Sequence, residues 1–304
     1  MANSEDIPSD APPSFSAETY FATQPPPPTL EEDVSRVLDF IQRQREAKRK
    51  VVLVTPFSRH YSHSTHPFLD FLDHDSSEIS VKPSERPQLL SVLSAYKEVQ
   101  KSGTLHTLTF VTVDDYLWLL RAVSQELSIL GRDAMFYLAA AVSDFFLPRQ
   151  KMSEHKIQSG KGSLHIEMDQ VPKILKPLVN EWTREGYIVS FKVLFIYWST
   201  VRAINHISSQ LETDQVLLVP KARAALARYG HQVVIGNDLH RRKFEVVFVS
   251  PVGGRPIQEE PNAVQFTESW LNIDLTQDPT KEIEEDIVAE LVRRHRVWTG
   301  DECH

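Results

Sequence analysis

A single cysteine, Cys303, stands in the 304 residues. A lone thiol can neither close an internal disulfide nor build a structural zinc site, so a reducing compartment suits the chain best. Glycine is scarce too, with ten in the chain and none between Thr55 and Gly103. That gap follows the first buried-strand signal, Val51-Val52-Leu53-Val54-Thr55, where a chain that cradles a dinucleotide would carry a glycine-rich turn opening a helix. Without G-x-G-x-x-G after Val54, a generic dinucleotide-dependent oxidoreductase is disfavoured. No apolar run reaches membrane-spanning length. The first ten residues, MANSEDIPSD, lack the basic-then-apolar order of a secretory leader. The formal net charge of −8 argues against a dedicated nucleic-acid binder. A cytoplasmic protein is expected. There is no internal repeat and no H-E-x-x-H pattern; His60, His63, His66 and His74 with Asp70, Asp73 and Asp75 read as a polar surface loop, and no metal-ligating residue is assigned.

What is present is an alternating β/α pattern with 41% hydrophobic residues, enough for a sizeable core. Residues 1–29, ending in Pro25-Pro26-Pro27-Pro28, read as a disordered proline-rich tail, and 30–304 as a single α/β domain. Thr29 is placed to cap a helix running through Leu30, Val34, Val37, Leu38 and Ile41. Further helices are expected over 88–101, over 115–128 behind an Asp114 cap, from Pro172, over 216–229 and over 278–294. Strands are expected at 51–55, 105–113, through MFYLAAAV at 135–142, and at 164–168, 187–192, 232–238 and 244–250. This order predicts a Rossmann-like, mostly parallel sheet with helices on both faces.

Three strand ends then carry the chemistry: 140–144, 190–192 and 236–238. In a parallel sheet they share one edge, where open α/β folds bind ligands. Small side chains at Ala140 and Ala141 let a ligand approach the backbone, although tight core packing would use them equally well. Asp144 suits either a turn cap or an exposed functional carboxylate. Asn237 suits either a ligand contact or a bond to its own backbone. Lys221 and Arg223, in Pro-Lys-Ala-Arg-Ala-Ala-Leu, read as a solvated helix face or as groups facing phosphates.

The segments Ala139-Ala140-Ala141-Val142-Ser143-Asp144 and Glu154-His155-Lys156-Ile157-Gln158-Ser159 resemble the phosphopantothenoylcysteine synthetase family in its monofunctional eukaryotic form. These are ligases of coenzyme A biosynthesis. The resemblance is good over 86–300 and weaker over 30–74. It implies backbone contacts to 4'-phosphopantothenate from Ala140 and Ala141, and catalytic roles for Asp144 and Lys156. Lys156 would be the main cation of the site, facing charge that develops on a phosphate leaving group, while His155 packs. It implies that Phe191 and Asn237 border the nucleotide, that ATP (or CTP) with Mg2+ is consumed, that L-cysteine is the second substrate, and that the chain is a homodimer. The implied reaction first joins the pantothenate carboxylate to the nucleotide α-phosphate with loss of pyrophosphate. The cysteine amine then displaces the nucleoside monophosphate.

Two departures from the family set up an alternative. The family's Ser-Gly-Gly-Thr turn and its later Asn-Phe-Ser-Ser-Gly segment are absent, because Thr55 runs straight into Pro56-Phe57-Ser58-Arg59. The β/α repeat would need roughly 45 more residues here, which reads as a deletion of the first phosphate-loop unit at 55/56. Between Lys192 and Leu211 the apolar stretch 193–210 reads as an atypical insertion, of a kind that a retained intron would produce. The competing expectation is therefore a catalytically inactive member or a defective isoform.

Overall fold

The structure, a computed structural model, describes residues 16–55, 72–74, 79–140, 142–152, 166–194, 213–238, 241–253, 265–276 and 281–301. The chain enters through α1 (Ala17–Thr23), whose first turn is capped by the Ser16 hydroxyl accepting from the Thr19 amide. In α2 (Leu30–Glu46) acidic residues fill the first turn and Arg43 and Arg45 the last, which suits the helix dipole at both ends. Strand β1 (Val51–Thr55) follows. A small antiparallel ribbon, β2 (Leu72–His74) with β3 (Ile79–Val81), leads to α3 (Arg86–Lys101). Helix α4 (Val113–Leu127) opens with a capping box: Thr112 Oγ1 accepts from the Asp115 amide and Asp115 Oδ2 accepts from the Thr112 amide. Then come β4 (Ala134–Leu138), and β5 (Phe145–Phe146) paired with β6 (Asp169–Gln170). After β7 (Tyr187–Leu194) the chain forms α5 (Thr213–Tyr229), β8 (Val233–Asp238), β9 (Glu245–Pro251), β10 (Phe266–Asn272) and α6 (Ile283–Thr299). Gly300 closes α6 in a left-handed conformation at φ +83°, which a side chain would oppose.

The main sheet has the order β1-β4-β7-β8-β9-β10. The first four strands are parallel, and the last two pairings, β8–β9 and β9–β10, are antiparallel, so β9 alone runs against the rest. The alternation of side chains sorts the sheet's two faces. Phe136 and Ile188 look toward a core built from α1, α2 and α4. Val234, Val247 and Val249 pack on Leu218, Ala222 and Leu226 of α5, on the same side. Met135, Val189, Val233 and Ile235 look the other way, onto Ile283, Ile287 and Leu291 of α6. The fold class expected from the β/α alternation is thus present, with two strands added at one edge by antiparallel pairing.

Several local expectations are corrected. Residues 1–29 are not a tail throughout: α1 is folded in, Tyr20 is 0% exposed and Phe21 is buried beside it. Two aromatics five and four residues before a proline run supply more apolar area than the tail's composition suggests. The strand expected over 105–113 does not form: among the described residues no strand pairs with 105–112, although their pattern alternates, and Val113 opens α4. Residues 166–168 likewise are not strand; the pairing falls one step later, on β6. The strand read through Val142 ends at Leu138. Thr29 precedes α2 but makes no capping hydrogen bond. Helix α3 forms where its spacing predicts, yet buries no residue, and Leu90 and Val92 are 64% and 63% exposed. Strand β10 had no clear signal, being a half-exposed edge strand.

If α1 belongs to the core, Tyr20→Ala removes a fully buried aromatic and costs about 3–5 kcal/mol in equilibrium denaturant unfolding. A solvated tail would give no change in that measurement.

Candidate functional site

The C-terminal ends of β1, β4, β7 and β8 lie side by side, and the register fixes how far each reaches. Thr55 pairs with Leu138, Leu138 with Ser190, and Ser190 with Val234. One step further, Phe191 stands opposite Ile235, and two steps beyond that, Val193 stands opposite Asn237. Residues 139–140 leave the sheet at the same level.

Thr55 organises that exit. Its carbonyl accepts the Ala139 amide at 3.1 Å, and its hydroxyl accepts the Ala140 amide at 3.4 Å while donating to the Tyr137 carbonyl at 3.4 Å. A buried strand end exposes backbone groups that need partners, and here one threonine supplies them. The chain then turns: Ser143 Oγ accepts the Phe145 amide at 3.1 Å, and the Asp144 carbonyl accepts the Val171 amide at 2.9 Å. The Asp144 side chain is left exposed at the rim. Ala140 is half-buried against the α1/α2/α4 core.

On the opposite sheet face, Phe191 is half-buried and meets Tyr137 edge-on, ring centroids 5.0 Å apart. Burial pushes the Tyr137 phenol up to about 12, so it stays neutral. Asn237 shares this face, as Val233 and Ile235 do two and four residues before it. Its Oδ1 is buried and has no hydrogen-bond partner. Ser190, on the α5 side, bonds His231 Nε2 at 2.8 Å. His231 is fully buried, its Nδ1 has no partner, and burial pushes its pKa down to about 3.

Of the residues singled out in the sequence, Ala140, Phe191 and Asn237 are brought to one sheet edge, and Asp144 follows beyond it beside the β5–β6 ribbon. Ala141 and Lys156, with His155, lie outside the described residues, as do residues 56–71 after Thr55. Of the expected insertion at 193–210, Val193 and Leu194 extend β7 and pair with Asn237 and Asp238; 195–210 lie outside the described residues. Arg223 is not turned to the site: it forms an ion pair with Glu268 on β10. Thr55, Tyr137 and the Ser190–His231 pair were not found from sequence, because each acts through a partner distant in the chain. A cavity of about 620 Å³ also opens between the sheet and α6, walled by Val52, Val54, Tyr137, Val288 and Val292. Its lining is mostly apolar, with Lys50, His295, Arg296 and Asp301 also on it, and none of the four candidate residues lines it. Among the described residues no group of three or more His, Cys, Asp or Glu could hold a metal ion, and no helix is long and apolar enough to cross a membrane.

No family model matches the chain. It is 35% identical over 268 residues to the phosphopantothenate–cysteine ligase Cab2 of Saccharomyces cerevisiae, covering 81% of this chain and 63% of that protein. It is 39% identical over 215 residues to the human phosphopantothenate–cysteine ligase, covering 71% and 59%. The chain thus spans about three-fifths of the length of the relatives it matches. Among solved structures, a Cab2 histidine variant in complex with phosphopantothenate-cysteine superposes with a TM-score of 0.71 at 31% identity, covering 93% of this chain and 99% of that one.

The buried His231 gives the site edge a pH signature. Its folded pKa of about 3 lies below the ordinary 6.5, so the native state stays unprotonated while the unfolded state binds a proton between those values. Stability therefore falls as pH drops through that window, by ~1.4 kcal/mol per pH unit. Between pH 7 and pH 5 the wild type should lose about 2 kcal/mol more than His231→Gln in denaturant unfolding. Parallel pH profiles for the two proteins would contradict this.

Proposed function

The chain belongs to the phosphopantothenate–cysteine ligase family, and we propose that it catalyses the family's reaction, joining 4'-phosphopantothenate to L-cysteine at the expense of a nucleoside triphosphate. The observation that carries this reading is that Ala140, Phe191 and Asn237 share one edge of the sheet, with Asn237 Oδ1 buried and unpartnered. The superposition on a product-bound relative supports it.

In this reading the edge has two halves. The substrate half lies where the chain leaves β4: the Ala139–Ala140 backbone, braced by Thr55, presents small side chains that let the pantothenate arm lie against the main chain. Asp144, exposed at the rim, is placed to accept a proton from an attacking amine. The nucleotide half lies at the ends of β7 and β8. Phe191, held upright by Tyr137, offers an aromatic face to the base, and Asn237 Oδ1 accepts from a base or ribose donor. Activation is needed because a free carboxylate is a poor acyl donor; transfer to the nucleotide α-phosphate supplies the leaving group. Lys156 is assigned to neutralise charge there. ATP, or CTP, enters with its own Mg2+ as part of the substrate. The active form is a cytoplasmic homodimer.

Pyrophosphate release with ATP, Mg2+, 4'-phosphopantothenate and cysteine tests the reading. Turnover is expected, with Asp144→Asn lowering kcat about 100-fold. Asn237→Ala should raise the KM for ATP about 5- to 10-fold, the loss of one net hydrogen bond, and leave that for phosphopantothenate unchanged. A version carrying the phosphate-loop segment of the human relative between Thr55 and Pro56, and lacking 193–210, separates the two accounts of the chain. Turnover only in that version would make this chain a defective isoform, and turnover in neither would refute the assignment.

A further inference from the structure

Helix α1 does more than fill the core. We propose that Gln24, which ends α1, is a positioning residue for the substrate half of the site, an inference that rests on the placement of that half at Ala140 and Asp144.

Gln24 is 2% exposed, although it is a glutamine on a short N-terminal helix. Its Oε1 accepts the backbone amide of Arg149 at 3.2 Å. Its Nε2 donates to Gln150 Oε1 at 3.3 Å, and Gln150 Nε2 donates in return to the Thr23 carbonyl at 3.3 Å. Gln24 is thus clamped to the turn that ends the segment 144–151, the stretch leading from Asp144 toward Lys156.

Other contacts hold that segment too, among them the backbone pairing of Phe145 and Phe146 with Gln170 and Asp169. At its start, the Asp144 carbonyl accepts from Val171. In its middle, the Phe146 ring is buried edge-on against Tyr20, centroids 4.9 Å apart; this is an apolar contact that fixes depth better than direction. At its end, Lys151 pairs with Glu167 and Asp169 at 2.7 Å, but all three groups are solvent-accessible, and such pairs contribute little. The β5–β6 pairing holds the Asp144 end of the segment, and the Gln24–Arg149 bond is a directional, water-shielded hold on its other end, so that the segment carrying Asp144 is tied down at both ends.

A packing role and a positioning role for Gln24 predict opposite outcomes for two substitutions. Gln24→Leu keeps the volume and removes the acceptor. Gln24→Glu keeps the acceptor for Arg149, and the Gln150 amide can rotate to donate to it. The measurements are amide hydrogen exchange over 145–151 and calorimetric binding of phosphopantothenoylcysteine to the full chain. Positioning predicts that Gln24→Leu speeds exchange at Arg149 about 10-fold and weakens product binding about 5-fold, as expected for one lost hydrogen bond, while Gln24→Glu stays within about twofold of wild type in both. The proposal is overturned if Gln24→Leu binds product like wild type, or if Gln24→Glu is the worse of the two, since a role in packing alone tolerates the leucine and rejects the buried charge. Failure of the wild type itself to bind product would remove the site reading along with the proposal; intact wild-type binding with an indifferent Gln24→Leu removes the proposal alone.

Discussion

Everything at the candidate site depends on the parallel ladder that locks β4 to β7 and β7 to β8. Parallel strands are stable mainly when both faces are covered, and here the layers of α1, α2, α4 and α5 on one side and α6 on the other cover them. Such strands can be apolar along their length but must meet water at their ends. The transition is abrupt: Phe136 is fully buried, and four residues later Ala140 stands half out of the core. Polar function in this architecture has nowhere to go except the rim.

The same ladder divides the rim by face. Because side chains alternate, Ser190 and Phe191 are neighbours in sequence yet belong to different layers. Ser190 is tied to His231 under α5, whereas Phe191 leans on Tyr137 above α6. A shift of one residue in the β7 register would exchange these partners, placing a hydroxyl where the aromatic face is and a ring against a buried imidazole. The fully buried histidine and the edge-on ring pair therefore act together as a register lock for the strand that carries Phe191.

How much of this was legible in the sequence follows from how local each signal is. The strands at 51–55, 187–192 and 232–238 announce themselves as runs of β-branched residues, and α2 and α6 carry spaced apolar positions with charged ends; all are present, with α6 set five residues later than its expected 278–294. The rim residues were legible because small and polar residues interrupt apolar runs there. The failures share a different physics. Residues 105–112 alternate like a strand, but among the described residues no strand pairs with them, since pairing is decided by tertiary placement rather than by propensity. Helix α1 looks like tail because its composition is that of a tail, and only the pocket formed by Phe146, Trp118 and Trp182 makes Tyr20 and Phe21 core residues. Thr55 reads as the last residue of a strand, and its bonds to Ala139 and Ala140 span more than eighty positions.

Asn237 shows how a local cost points to function. A buried carbonyl oxygen with no partner costs roughly 1–3 kcal/mol, and the two preceding residues on its face, Val233 and Ile235, show that an apolar side chain fits the strand there. The strand cannot easily relieve the strain by shifting. At Gly236 even a Cβ would lie 2.9 Å from both Leu218 and Val247, so β8 is pinned against α5 at the position next to Asn237. With the backbone held and no protein group bonded to Asn237 Oδ1, the missing hydrogen bond is left for a water or a ligand to complete. An oxygen kept unpaired on a rigid strand is pre-organised for its donor: it loses no protein partner on binding and needs little rearrangement to meet it. In the nucleotide reading proposed above, the geometry that makes Asn237 a liability in the free protein is the geometry that would let it discriminate a nucleotide offering an N–H or O–H from one that does not.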